Sequence, residues 1–280
     1  MERLREHVDP QFDKKYGLQL VPYLEKYLQD SDPAVRLGAQ SYIMHTGLKS
    51  SDQKERQKVV EIILQCRKDD RYDPVSSDLL SFNTSDFSEK AKEILHNQLG
   101  KNPKNKTLLL VIGVADMRSE LDTLKKIADS ASKPKNRERE DEGTISRKKF
   151  SSYAFAALQA RARMGVKEDI QKCIDLVEAC PDEEFRVNGL LERLSYVRQP
   201  EVVEYIRKYY MMDKVEPSGG SDYADLAGEA LSLMLRDFPK YKQEGKPTSR
   251  TVQQQIEAKQ VLLEKNRGWI KQQTHWDIIR

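Results

Sequence analysis

Cysteine is scarce in this chain: Cys66, Cys173 and Cys180 are the only three in 280 residues. An odd and small number excludes a disulfide framework as the source of stability. Tryptophan occurs twice, at Trp269 and Trp276, and histidine four times, at His7, His45, His96 and His275. The histidines stand far apart, with no His-x-x-x-His pair, so no metal site is expected. Long apolar runs are missing as well. The longest, Leu108–Ala115, is less than half of the roughly 20 residues that a membrane span needs. Met1–Glu6 is charged and leads into no apolar stretch, so no signal peptide is read and the cytoplasm is the expected compartment. Gly-x-Ser-x-Gly, the P-loop and Gly-x-Gly-x-x-Gly are all absent, and nothing else points to a catalytic centre or a cofactor. Neither charge sign dominates. A net charge of +3 is too mild for a dedicated nucleic-acid binder.

What is present is helical periodicity. The apolar share is only 38% and charged residues reach 33%, yet the apolar residues recur every three or four positions. Leu18, Val21, Leu24 and Leu28 form one such stripe, ending at Asp30-Ser31-Asp32-Pro33. There Asp32 is the expected N-cap and Pro33 the first helical residue. Val35, Ala39, Tyr42 and Ile43 then face inward until Gly47, giving an antiparallel hairpin. Further helices are expected from Ser51 or Asp52, from Ser85 or Asp86, over Leu108–Ala115, and from Ser119. Residues 132–146 hold a stretch without apolar residues and mix both charges, so they read as a mobile inserted loop. Helices resume over Arg147–Gly165, Asp169–Ala179, Glu183–Val197, Pro200–Tyr210 and Ser221–Leu235, with Ser221 as N-cap. A long polar helix follows around Thr251–Asn266. No segment alternates like a strand.

Two stretches repeat in detail. Asp32-Pro33-Ala34-Val35-Arg36 and Asp182-Glu183-Glu184-Phe185-Arg186 both read Asp-x-x-apolar-Arg at the mouth of a helix. Ala162–Gly165 running into Ile170, Cys173 and Ile174 matches Leu194–Val197 running into Val202, Val203 and Ile206, at an offset of 32 residues. Val114-Ala115-Asp116 before Leu121 and Leu124 looks like a third copy. These features resemble HEAT and HEAT-like (armadillo-type) repeats. The resemblance implies an all-α, right-handed α-solenoid of stacked antiparallel helix pairs over residues 1–239. It also implies a ladder between repeats made by Asp32 with Arg36 and Asp182 with Arg186. Physically, one hairpin cannot cover its own apolar stripe, so neighbours must stack. A compact multi-helix bundle is the alternative. Residues 240–280 fall outside the repeat and read as a polar helix and a tail, docked by Trp269 and Trp276.

The same 32-residue offset places Arg161 and Arg193 at equivalent positions, with Arg163 and Lys148-Lys149 close by. In the resembled family the second helices line a concave face, and Arg161, Arg163, Arg193, Tyr196 and Tyr210 are the candidates for it here. The bland alternatives are salt-bridged arginines on a solvated face and tyrosines packed against the next repeat. Cys173 and Cys180 read as buried structural thiols. The expected function is a non-enzymatic scaffold that binds a protein or peptide. The alternative is a nucleic-acid-acting protein like the HEAT-like DNA glycosylases, which would need a more basic groove and tryptophans within the repeats.

Overall fold

Asp32 accepts a hydrogen bond from the Ala34 amide at 2.8 Å, and Pro33 occupies the first turn behind it. This N-cap starts helix α2 (Pro33–Lys49), after α1 (Val21–Leu24) and its flanking 3-10 turns Gly17–Leu20 and Glu25–Gln29. The computed structural model describes residues 17–66, 77–130, 149–212, 222–239, 252–273 and 275–279. Among them every regular element is helical, and the one strand-like feature is an isolated antiparallel bridge between Leu235 and Ile278. No helix among the described residues is long and apolar enough to cross a membrane. The charged stretch at 132–146 and the glycine-rich run before Asp222 lie outside them. The chain divides into two units, Met1–Lys135 with Ser152–Ala160, and Asn136–Ser151 with Arg161–Arg280. The C-terminal helix and tail, read as falling outside the repeat from residue 240 onward, belong to the second unit.

In the first unit α2 is followed by α3 (Gln53–Leu64), α4 (Glu89–Lys101), α5 (Lys106–Val114) and α6 (Leu121–Ser130). Gly47 sits inside α2 rather than ending it. An added Cβ there would lie 2.6 Å from Val59 Cγ1, so glycine lets α2 and α3 approach. Helix α4 is capped by Ser88, which accepts from the Ala91 amide, and not by Ser85 or Asp86. Asp86 instead closes the 3-10 turn Thr84–Asp86: one carboxylate oxygen accepts from the Asn83 amide and the other from Arg56 Nε, both at 2.9 Å. The apolar run becomes α5, capped by Asn105, with Leu108, Leu109, Val111, Ile112 and Val114 all at 0% exposure. A helix apolar all round is stable only when enclosed on all sides.

In the second unit α7 (Tyr153–Arg163), whose first eight residues belong to the first unit, hands over to α8 (Lys167–Glu178). The expected helix Glu183–Val197 is interrupted: α9 (Glu183–Phe185) widens into a π segment, Arg186–Leu190, before α10 (Leu191–Ser195). Then come α11 (Pro200–Tyr210), α12 (Tyr223–Met234) and α13 (Val252–Gln272). Helix α12 packs against both α10 and α11. A row of rings, Tyr210, Phe238, Trp269 and Trp276, runs from α11 to the tail with successive centroids 5.6, 6.0 and 6.4 Å apart. The tail is pinned by the Ile279 amide to the Met234 carbonyl and by the Arg236 amide to the Asp277 carbonyl. The tryptophan indole of Trp276 donates to Glu204 at 2.9 Å.

The links between helices repeat. Asp116, Gly165 and Arg198 each take a positive φ, at 50°, 87° and 50°. At the first two, the next residue's amide reaches back five positions, Met117 to Ile112 and Val166 to Arg161, which is the Schellman closure. The N-caps that follow, Val166 and Gln199, are 33 positions apart, not 32. One residue on a helix is a rotation of about 100°. Arg161 therefore corresponds to Leu194, and Arg193 to Ala160.

Candidate functional site

That register change disperses the arginine stripe expected from the sequence. Arg161 is buried, and its Nε meets an Asp169 carboxylate oxygen at 2.6 Å in the first turn of α8. A buried guanidinium needs such a partner, because removing an unpaired charge from water is very costly. Arg193 points to solvent from α10 and donates to the Phe150 carbonyl at 3.1 Å. Tyr210, also expected at the surface, is 3% exposed. Its ring lies over Gly228, where an added Cβ would stand 2.9 Å away, and it meets Phe238 edge-on. Burial raises the Tyr210 phenol above the usual tyrosine range. Arg161 and Tyr210 are core residues, not parts of a docking face.

Arg163 and Tyr196 do come together. Arg163 Nη1 donates to the Tyr196 carbonyl at 2.6 Å, and the guanidinium lies 5.0 Å from the centre of the Tyr196 ring. The Gln199 side chain closes the contact by donating to the Arg163 carbonyl at 2.8 Å. Burial lowers the Arg163 pKa and raises the Tyr196 phenol. Arg198, two residues on, is a member of this cluster that the sequence did not signal. It stands half-buried at the left-handed position where Gly165 stands in the preceding link. Its pKa is pushed down to about 10, first by burial and then by the charge of Arg163.

The arginines of the Asp-x-x-apolar-Arg motif act on turns. Arg36 Nη1 donates to the carbonyls of Asp30 and Ser31, and Arg186 Nη1 to the carbonyl of Glu178. Asp182 accepts from the Phe185 amide, as an N-cap should. A third copy, Asp52 with Arg56, escapes a motif that demands an apolar residue before the arginine. Arg56 Nη1 holds the Ser50 carbonyl while Nε crosses to Asp86, 30 positions on, which is 0% exposed. Arg56 and Asp86 thus tie α3 to the turn that precedes α4.

Over the π segment, Asp182, Glu184, Phe185, Asn188 and Gly189 line an open cleft of about 360 Å³. On α11, Tyr205 donates to Glu178 at 2.6 Å and meets the Tyr209 hydroxyl at 3.1 Å. Cys173 and Cys180 are buried and free, and burial pushes the Cys173 thiol well up. Among the described residues no three His, Cys, Asp or Glu side chains group as a metal site. No protein-family model, curated protein or solved structure matches this chain.

Proposed function

We propose that the chain is a HEAT-like repeat protein, a right-handed solenoid of stacked helix pairs, whose work is to hold another protein rather than to catalyse a reaction. The observation that carries this reading is the recurring link. The left-handed residues Asp116, Gly165 and Arg198 follow α5, α7 and α10, and Arg36, Arg56 and Arg186 each fold back over the turn that precedes their own helix. A unit that repeats its linking device suits stacking, and stacked helix pairs present extended surfaces to partners. The exposed face of α10, with Arg193, belongs to that surface in this reading.

The test is binding with purified components. A protein captured by the full chain is expressed separately, and its affinity is measured for the wild type and for Arg193→Glu. The expected result is a loss of at least about tenfold, roughly 1.4 kcal/mol, with a cooperative melting transition retained. Equal affinity contradicts the assigned face. Tight binding of a labelled duplex, with a steep salt slope, contradicts the protein-binding reading and favours nucleic acid.

A further inference from the structure

Helix α12 ends in a short strand edge. At Leu235 the backbone turns extended (φ −108°, ψ 127°), and the Met234 carbonyl and the Arg236 amide take partners outside the helix. The edge has a foundation of its own. Met234, Leu235 and Phe238 are buried, and Phe238 packs edge-on against Tyr210 and Trp269 at 5.6 and 6.0 Å. Asn266 on α13 donates to the Pro239 carbonyl at 3.1 Å. Without a partner, such an edge is a template for another extended chain.

Residues 275–279 pair with it as a bound peptide would. The Ile279 amide donates to the Met234 carbonyl at 2.8 Å and the Arg236 amide to the Asp277 carbonyl at 3.0 Å, with Leu235 opposite Ile278 between them. Side chains read the segment position by position. The Trp276 indole donates to Glu204 at 2.9 Å, and its ring meets Trp269 at 6.4 Å. Asp277 faces Arg236 at 3.3 Å, and Arg198 Nη1 donates to the Ile279 carbonyl at 3.3 Å. Main-chain pairing for affinity and side-chain contacts for specificity are the two parts of recognition by strand addition.

The two sides of this contact are held unequally. Every residue of 275–279 is exposed or half-buried, and the Asp277–Arg236 pair stands largely in water, where an ion pair contributes little. The segment is therefore the side that leaves, and the edge is the side that stays. We propose that the edge at residues 234–236, flanked by Arg198, Glu204 and Trp269, is a docking site for an extended segment of a partner protein with the pattern Trp-acidic-apolar-apolar, and that residues 275–279 occupy it in cis as a competitor. The chemistry of the partner is read from that of the occupant. This edge is separate from the face assigned to Arg193, and its test does not involve that face.

The probe is a synthetic peptide of residues 275–279, blocked at both ends. In the full chain, Trp276→Ala together with Ile279→Pro removes the indole and the amide that hold the segment and leaves the edge unchanged. A site filled by its own segment binds a competitor in proportion to the fraction that stands free. The double variant is expected to bind the peptide at least about tenfold more tightly than the wild type does. A peptide with alanine in place of its tryptophan is expected to bind the variant at least about tenfold more weakly. Equal affinity of wild type and variant, with cooperative melting retained, overturns the proposal. Equal affinity of the two peptides does the same. The wild-type chain gives a second reading that needs no variant. With the peptide at about millimolar concentration, comparable to the effective concentration of a tethered segment, the amide resonances of Arg236 and Ile279 shift saturably. Resonances that stay in place overturn the site. Dimers of the wild-type chain that exchange this segment between copies, detected by sedimentation, also overturn it, because the edge then serves a second copy.

Discussion

Single residues set the geometry here more than composition does. Gly47 is the clearest case, because the place of a side chain is taken by Val59. Gly47→Ala is expected to lower stability by about 1–3 kcal/mol, the usual range for an overpacked core, measured by urea unfolding. If the alanine variant is as stable as the wild type, α2 and α3 do not meet at that point. Arg198 teaches the converse. At the matching place the preceding link has Gly165, whose residue type announces the turn, whereas Arg198 and Asp116 announce nothing. With only one glycine to mark three links, the apolar stripes alone give an offset of 32, one short of the spacing of the N-caps, and place the surface arginines one position out of register. Arg161 looked like a surface charge for the same reason, although Asp169 in the next helix was already there to neutralise it.

Helices were legible where the chain marks their ends. Asp32-Pro33 and Pro200 each combine a start signal with a clear stripe, and the elements begin there. The interruption at Arg186–Leu190 was not legible. A π turn adds one residue without changing which residue types are apolar, and the cue, Gly189 under the Phe185 ring, exists only in three dimensions. Arg56 was missed because Glu55 occupies the position where the motif asks for an apolar residue. The docking of the tail was legible from its tryptophans, since large rings in a polar segment need a surface to cover. Trp276→Ala removes the end of the ring row and the hydrogen bond to Glu204. Amide exchange at Ile279 and Arg236 is expected to quicken at least tenfold, with the α11 amides unchanged. Unaltered exchange at Ile279 would show that Trp276 does not hold the tail.

At the scale of the whole molecule, buried acids with raised pKa values set how it responds to pH. Burial raises Cys66 to about 11 from 9.0 and lifts Cys173, Tyr196, Tyr205, Tyr209 and Tyr210 as well. In each the folded state keeps its proton after the unfolded chain has released it. Their contribution is therefore complete below the unfolded pKa and is lost as pH rises. Stability should decline from pH 9 and fall faster above pH 10, by up to about 1.4 kcal/mol per pH unit for each group in its window. Urea midpoints between pH 8 and 11 check this, and a flat profile would contradict it.

The ion pair between Arg56 and Asp86 bears most directly on the central claim that an arginine clamp ties α3 to the turn that precedes α4. Asp86 is fully enclosed and both of its oxygens are engaged, so removing the arginine strands a charge. The measurement is a double-mutant cycle with Arg56→Met and Asp86→Asn, followed by urea unfolding. Arg56→Met alone is expected to cost about 3–5 kcal/mol, and the pair to couple by more than about 1.5 kcal/mol. A coupling below about 0.5 kcal/mol, as between solvent-exposed charges, would contradict the account.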